Sequence, residues 1–305
     1  MNQPTPPTKT RAWLTAARPR TLPLALASIG MGSFLAAADG RFSLPIALLC
    51  ALTTIFLQVL SNLANDYGDT RHGADSVARQ GPRRAVQMGL ISAEEMKRGM
   101  AITAALAIFS GVALLAVAFG WAQMVLFGLF IGLGGAAVWA AVAYTATSKP
   151  YGYIGLGDVF VLLFFGWVGT LGSYFVQAQT LTADLWLPAT AVGLLAVAVL
   201  NLNNMRDIES DQQAGKYSIP VRLGLTAARR YHLALLGGSF VCAVAFVWLN
   251  TPTWWHWGFV VVAPLLWHNG AAVLRLAPAQ MDPLLQQLAL TTLLFVLTFG
   301  LGQLF

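Results

Sequence analysis

Long apolar runs separated by short polar segments dominate this 305-residue chain. A helix needs about 20 mostly apolar residues to cross a bilayer, and runs of this length do not suit the strands of a membrane barrel. Helices also satisfy their own backbone hydrogen bonds in lipid. We therefore predict an all-α, polytopic membrane protein in which nine transmembrane helices form a bundle. The predicted spans, numbered one to nine, cover residues 22–38, 43–64, 100–119, 121–146, 154–177, 185–205, 231–249, 255–274 and 284–305.

The composition agrees with this fold class. Hydrophobic residues make up 57% of the chain and charged residues only 10%, whereas a soluble domain carries roughly 25% charged residues. Because so few charges cannot coat a water-exposed surface, the lipid bilayer is the expected surrounding. The two cysteines, Cys50 and Cys242, lie inside apolar runs and match no metal or haem spacing. We expect both to be small apolar residues of the interior.

The basic residues lie almost entirely on one side of the predicted bundle. With nine spans, 17 of the 18 Lys and Arg fall in the N-terminal segment and in the even-numbered connections, and only Arg41 falls on the other side. Connections rich in Lys and Arg remain in the cytoplasm. The pattern predicts a cytoplasmic N-terminus and an external C-terminus in a bacterial cytoplasmic (inner) membrane. It also accounts for the net charge of +6 without a nucleic acid partner.

The first ten residues differ from the rest of the chain. They are polar and rich in proline, a composition typical of disorder because it offers little apolar surface to bury. We predict a disordered N-terminal tail over 1–10 and a single nine-helix transmembrane domain over 11–305.

Two long polar connections on the predicted cytoplasmic side begin with the densest acidic motifs of the chain. Both motifs follow the end of an even-numbered span, and both contain the spacing Asn-x-x-x-Asp: Asn65 with Asp69, and Asn203 with Asp207. Residues four apart share one face of a helix. If span two stays helical to its end, Asn65 and Asp69 form one stripe of oxygen atoms. If span six does so, Asn203, Asp207 and Asp211 form another.

Acidic groups at this spacing indicate a metal site. Neighbouring carboxylates repel one another and charge near a membrane is costly, so such clusters persist where cations bind them. Oxygen ligands without His or Cys favour Mg²⁺. Two clusters facing each other across a bundle suit Mg²⁺ bound to a diphosphate, and we expect this active site at the cytoplasmic end. Candidates for contact with the substrates are Asn62, Asp66, Arg71, Tyr144, Arg206 and Lys216.

At this point the sequence resembles the UbiA-type intramembrane prenyltransferases, whose mark is two aspartate-rich motifs at the ends of helices two and six of a nine-helix bundle. The resemblance extends over nearly the whole chain, and it is strongest for the branch that acts on 1,4-dihydroxy-2-naphthoate. Four stretches carry it: Arg18 to Pro23, Asn65 to Asp75, Pro150 to Asp158, and Asn204 to Lys216. The 4-hydroxybenzoate enzymes tend to carry an acid where this chain has Gly73, and here the acid follows at Asp75.

The resemblance implies a role for each motif residue. Asn65, Asp69 and Asp75 would hold one half of a Mg²⁺–diphosphate site, and Asn203, Asp207 and Asp211 the other half. Asp69, Asp207 and Lys149 would be the catalytic residues, with Lys149 as the basic residue between spans four and five. The implied reaction transfers a polyprenyl group from polyprenyl diphosphate to 1,4-dihydroxy-2-naphthoate. Carbon dioxide and diphosphate are lost, and the product is a demethylmenaquinone.

Two other functions remain open from the sequence. Another aromatic acceptor, such as 4-hydroxybenzoate, fits the acid spacing equally well, because the acceptor is assigned by the resemblance alone. A secondary transporter would also use carboxylates within the membrane. Transporters typically place such charges near the bilayer midplane on broken helices, whereas both motifs here lie at one end of the bundle.

Overall fold

Nine helices long and apolar enough to cross a membrane occur among the residues that the structure, a computed structural model, describes: 8–74, 84–120, 122–250 and 253–305. The predicted number of spans and the all-α fold class are confirmed. The nine segments are Lys9–Ala38, Leu44–Arg71, Ala93–Phe119, Met124–Ala143, Gly157–Ala178, Ala183–Arg206, Leu225–Leu249, Trp254–Arg275 and Asp282–Gly302. We keep the numbering one to nine for these segments.

Several spans extend beyond the apolar runs that predicted them. Span two continues to Arg71, past its predicted end at residue 64, and so carries the first acidic motif on a continuous helix. Span three begins at Ala93 because Ser92 forms a capping box. The Ser92 hydroxyl accepts from the Glu95 amide at 3.2 Å, and the Glu95 carboxylate accepts from the Ser92 amide at 3.0 Å. Such a cap satisfies exposed amides of the first turn. Because this turn is polar, the hydrophobic pattern of the sequence does not indicate that the helix begins here.

Within span one, a short helix comes before the longer helix Leu22–Ala38. It covers Lys9–Ala17 and ends at Arg18, which has a left-handed backbone with φ of 49°. Its apolar face packs on the ends of spans two and three that lie beside the first acidic motif, through Ala12, Trp13 and Ala16. The last two positions of the predicted disordered tail therefore belong to this helix, and residues 1–7 lie outside the described residues.

Span six forms the centre of the bundle. Its side chains belong to the largest buried cluster, together with residues of spans one, five, seven, eight and nine. Spans five and six approach closely at Gly166 and Gly193, where a Cβ on Gly166 would lie 2.9 Å from the Gly193 Cα. Small residues allow helices to pack this tightly in lipid. The second acidic motif consequently emerges from the most enclosed helix of the protein.

Candidate active site

The first motif is fixed to the connection between spans four and five. Asn65 Oδ1 accepts a hydrogen bond from the Thr145 hydroxyl at 3.0 Å, and the same hydroxyl lies 3.0 Å from the Ala64 carbonyl oxygen. A Cβ on Gly68 would lie 2.4 Å from the Thr145 carbonyl carbon. The absence of a side chain at Gly68 thus permits backbone contact between span two and this connection.

Asp69 lies in this motif and is buried against two partners. Its Oδ2 accepts from Arg84 Nη2 at 2.8 Å, and its Oδ1 accepts from the Tyr153 hydroxyl at 2.9 Å. Both members of the Asp69–Arg84 ion pair are largely shielded from solvent. The carboxylate of Asp69 is therefore held by a cation and a phenol from two different connections.

The second motif stays on one face despite a break in its helix. Span six ends at Arg206, Asp207 caps it, and a short helix Ile208–Gln213 follows. The Asp207 amide donates to the Asn203 carbonyl at 3.2 Å, and the Asp211 amide donates to the Asp207 carbonyl at 2.8 Å. This four-residue repeat keeps Asn203, Asp207 and Asp211 in the register that their spacing predicts.

Arg206 connects the second motif to span nine. The side chain is 1% exposed, and its Nε and Nη2 donate to the two carboxylate oxygens of Asp207 at 3.0 and 2.6 Å. Nη2 also donates to Asn203 Oδ1 at 2.9 Å, and Nη1 donates to Asp282. Asp282 in turn accepts from Arg20 Nη1 at 3.0 Å. Asp282 is not among the site residues predicted from the sequence, where its only signal is that it is a lone acid before the proline that opens span nine.

The two motifs meet through Lys216 and Tyr153. The buried Lys216 Nζ lies 3.3 Å from Asp211 Oδ1 and 5.8 Å from the centre of the Tyr153 ring. Tyr153 is the residue whose hydroxyl binds Asp69. Its carbonyl also accepts from the Tyr217 amide at 2.9 Å, which joins the connection after span four to that after span six. Acids from both motifs thus surround one lysine and one tyrosine.

Burial and mutual repulsion shape the charges of this cluster. Burial is the largest effect on Asp211 and raises its pKa to about 6. The negative charges of Asp207 and Asp69 also raise the pKa, whereas the positive charge of Lys216 lowers it. Burial opposes the charged form of Lys216, but Asp211 and Asp69 outweigh it and raise the pKa of this lysine. Burial, followed by Asp69, raises the pKa of Tyr153 as well. Lys216 therefore remains protonated, and Tyr153 remains a neutral donor to Asp69.

The donor set fits a hard divalent cation. Asn65, Asp69, Asn203, Asp207 and Asp211 offer only amide and carboxylate oxygens, the ligands that Mg²⁺ prefers. Asp211 Oδ2 is buried and accepts no hydrogen bond from a described residue. Within the described ranges, no three His, Cys, Asp or Glu side chains converge on one ion position. Each of the three aspartates is instead paired with a basic side chain.

A basic cavity lies beside the two motifs, under the short N-terminal helix. Its volume is about 360 Å³, within the range of small-ligand sites. Among its described lining residues, five are arginines and one, Asp66, is acidic. The Asp66 carboxylate accepts from the Ala85 amide at 3.3 Å. The arginines are Arg11, Arg18, Arg20, Arg84 and Arg206. The lining favours an anionic ligand.

The remaining predicted site residues differ in their position relative to the acid cluster. Asn62 donates to the Ala17 carbonyl at 2.9 Å and so anchors the N-terminal turn. Arg71 and Lys149 are exposed, and neither forms a hydrogen bond or an ion pair with a residue that the structure describes. Tyr144 packs beside the cluster, where burial, Asp69 and Asp211 raise its pKa to about 12. Asp75 lies outside the described residues.

We expect Asp282→Asn to weaken both the fold and the reaction. The substitution removes a charged partner of buried Arg206, and a hydrogen bond between charged groups contributes about 1.5–3 kcal/mol to the free energy of unfolding. Because Arg206 orients Asp207, kcat/KM for a reaction at this site should fall about tenfold. Thermal unfolding and steady-state kinetics measure the two effects. Arg20→Gln removes only the exposed partner of Asp282, and an equal loss in that variant would contradict the role given to Arg206.

Comparisons with a family profile and with known proteins agree on one family. The family profile described as UbiA prenyltransferase family matches residues 25–290. The chain is 49% identical to 1,4-dihydroxy-2-naphthoate octaprenyltransferase of Escherichia coli, with 97% of each chain covered. It is 44% identical to the protein of the same name from Haemophilus influenzae, over 97% of this chain and 96% of that protein.

Solved structures share the fold at low sequence identity. A UbiA homolog from Archaeoglobus fulgidus, bound to DMAPP and Mg²⁺, aligns with a TM-score of 0.65 and 17% identity over 96% of this chain and 99% of that one. A UbiA homolog from Aeropyrum pernix aligns with a TM-score of 0.67 and 19% identity over 93% and 96% of the two chains. From the family profile and the bacterial relatives, the chain belongs to the UbiA prenyltransferase family.

Proposed function

We propose that this protein is a Mg²⁺-dependent prenyltransferase that transfers a polyprenyl group from its diphosphate to 1,4-dihydroxy-2-naphthoate. The observation that carries the proposal is the meeting of the two acidic motifs around Lys216 and Tyr153 at one end of the bundle. The acceptor follows from the two bacterial relatives, which carry the name of this activity at 49% and 44% identity. Their name also makes octaprenyl diphosphate the first donor to test.

The two motifs would share the metal–diphosphate site. We assign Asn65, Asp69 and Asp75 to one half and Asn203, Asp207 and Asp211 to the other. Mg²⁺ bound there would neutralise the charge of the diphosphate and so make the diphosphate a better leaving group.

Buried cations would complete the diphosphate site. Arg84, Arg206 and Lys216 already lie against the carboxylates, so their charge is in place before the substrate arrives. One arginine guanidinium can bind a phosphate group through two parallel N–H···O hydrogen bonds. We assign the lysine role at the diphosphate to buried Lys216 and not to exposed Lys149.

Aromatic rings would protect the reacting carbon. When the bond between C1 and the diphosphate oxygen breaks, positive charge develops on the allylic C1, and the face of an aromatic ring attracts a cation. Tyr153 and Tyr144 are the phenols beside the acid cluster. The surrounding apolar helices would keep water away from this carbon. Water would otherwise add to the cation and hydrolyse it.

The chemistry of the acceptor makes a base for C–H removal unnecessary. The ring carbon that bears the carboxylate forms the new C–C bond to C1, and the carboxylate then leaves as carbon dioxide. The electrons of the lost C–C bond return to the ring, so no proton has to leave that carbon. Both substrates are anionic, which agrees with the arginines that line the cavity under the N-terminal helix.

We infer that the protein spans a bacterial inner membrane with this site at the cytoplasmic face. Nine apolar helices support a multi-pass protein. The positions of the Lys and Arg residues support a cytoplasmic N-terminus and an external C-terminus.

An assay of purified protein in detergent tests the proposal. Octaprenyl diphosphate, 1,4-dihydroxy-2-naphthoate and Mg²⁺ should yield a lipid-soluble prenylated 1,4-naphthalenediol, which oxygen in air then oxidises to the naphthoquinone that is detected. EDTA should abolish the product and excess Mg²⁺ should restore it. A parallel reaction contains 4-hydroxybenzoate as the acceptor. Turnover of 4-hydroxybenzoate alone would contradict the acceptor, and Mg²⁺-independent turnover would contradict the assignment of the two motifs.

A further inference from the structure

An apolar groove runs between spans seven and eight on the outside of the bundle. Its volume is about 520 Å³, and none of its lining residues belongs to the acidic motifs or the basic cavity. Trp267 forms one wall and is 81% exposed. On the opposite wall, a Cβ at Gly237 would meet no atom within 4 Å, so the groove has free depth at this glycine.

The length of the groove matches one leaflet of a membrane. Its lining on span eight extends from Ala263 to Arg275. At a rise of 1.5 Å per residue, this helical segment is about 18 Å long. Half of a bilayer's hydrocarbon core is about 15 Å thick. An extended acyl chain that starts at the lipid–water boundary would therefore fill the groove.

Basic residues stand at one end of the groove. Arg275 belongs to its lining and lies in the last turn of span eight. Arg229, near the start of span seven, donates from Nη2 to the Leu276 carbonyl at 2.6 Å, which places its guanidinium beside the end of span eight. Exposed Arg230 follows it. None of the three pairs with an acid in the described part of the chain. This end is the motif end of the bundle, because span seven follows the second motif directly.

We propose that the groove binds an anionic phospholipid, with one acyl chain between spans seven and eight and the phosphate at Arg275 and Arg229. Basic pockets between membrane helices on the cytoplasmic side recognise anionic headgroups, and Lys or Arg near the surface attracts them. The apolar groove would hold the acyl chain of the same lipid. Charge and length together specify an anionic lipid, and the cytoplasmic orientation proposed above places it in the inner leaflet.

Lipid in this groove stabilises the contact of spans seven and eight. Behind the groove, His232 Nε2 lies 2.9 Å from Asn269 Oδ1, and Asn269 also donates to Gln287 of span nine. The groove residues Leu233 and Gly270 directly follow His232 and Asn269 in the chain. An acyl chain therefore covers the seam that encloses this polar contact, and its binding should raise the temperature of unfolding.

The test is a lipid titration of the delipidated full-length protein in neutral detergent. Native mass spectrometry counts bound phosphatidylglycerol or phosphatidylcholine, and thermal unfolding is followed in parallel. We expect phosphatidylglycerol to bind more tightly and to raise the midpoint of unfolding. Arg275→Gln should weaken phosphatidylglycerol binding about fivefold, and Arg229→Gln with Arg275→Gln about 25-fold. Binding of phosphatidylcholine should not change. Arg98→Gln, which removes an exposed arginine at the same end of span three, should behave as wild type.

A second variant fills the groove without altering its charge. Gly237→Leu should lose the bound phosphatidylglycerol and the thermal stabilisation by lipid, while its unfolding midpoint in lipid-free detergent stays at the wild-type value or slightly above it, because leucine favours a helix over glycine. Prenyl transfer by Gly237→Leu should be unchanged, because the groove is separate from the acid cluster. Glycerol phosphate, which has the headgroup charge but no acyl chain, should not protect the protein.

Two results would overturn the proposal. Equal binding of phosphatidylglycerol and phosphatidylcholine, unaffected by the arginine variants, would show that the groove does not recognise anionic heads. Displacement of phosphatidylglycerol by octaprenyl diphosphate in EDTA, abolished by Gly237→Leu, would show that the occupant is the prenyl donor.

Discussion

Asp207→Asn is expected to lower kcat/KM for prenyl transfer by about 10²–10³-fold while the bundle remains folded. Asp207 forms a bidentate pair with buried Arg206 and lies one helical turn from both Asn203 and Asp211. Asn has nearly the same shape but carries no charge, so it cannot offset the charge of Mg²⁺. The variant should therefore also need a higher Mg²⁺ concentration for half-maximal rate.

Steady-state kinetics across a Mg²⁺ titration, with thermal unfolding of the same preparations, measures these effects. The matched control is Asp184→Asn, the same substitution at the opposite end of the bundle, where the Asp184 carboxylate accepts from Asn250 at 3.3 Å. The control should retain wild-type kinetics. A folded Asp207→Asn protein with near-normal kcat/KM would remove Asp207 from the active site.

The acid cluster is built so that its charges are compensated within the protein. Asp69 pairs with Arg84, Asp207 with Arg206, and Asp211 with Lys216. A buried charge without a partner would cost several kcal/mol, whereas these pairs allow the cluster to exist before a ligand binds. Lys216 and the arginines thus serve both the folded state and, in our proposal, the diphosphate.

The sequence predicted the spans well because a membrane helix has a simple requirement. Each span needs about 20 apolar residues, and nine such runs are visible in the chain. The ends of spans two and three were not predictable from hydrophobicity, since Leu44–Arg71 and Ala93–Phe119 continue in polar segments. There the helix depends on caps and on packing with the N-terminal helix Lys9–Ala17.

The site was predictable only within each motif. Spacing within one helix places Asn203, Asp207 and Asp211 on one face. The partners that hold the acids come from distant parts of the chain: Tyr153 is 84 residues from Asp69, and Asp282 is 76 residues from Arg206. No local pattern encodes such contacts. The sequence also could not distinguish buried Lys216 from exposed Lys149, because burial depends on how the connections fold over the bundle.

Gly68→Ala is expected to reduce kcat/KM about 10²-fold, although it adds one methyl group. A Cβ at this position would lie 2.4 Å from both the carbonyl carbon and the carbonyl oxygen of Thr145. These are backbone atoms, so span two or the connection must move. Overpacking of this kind lowers the free energy of unfolding by about 1–3 kcal/mol. The same movement displaces Asn65 and Asp69, and a shift of about 1 Å in a catalytic group can cost about 10²-fold in rate.

Gly132→Ala in span four is the matched control for this prediction. A Cβ on Gly132 meets no atom within 4 Å, and alanine favours a helix over glycine by about 1 kcal/mol. The control should therefore keep its activity and its unfolding midpoint, or raise the midpoint slightly. If Gly68→Ala matched Gly132→Ala in kcat/KM, close contact between span two and the Thr145 connection could not be what positions Asp69. The hydrogen bond from the Tyr153 hydroxyl to Asp69 would then be the contact through which this connection holds the acid.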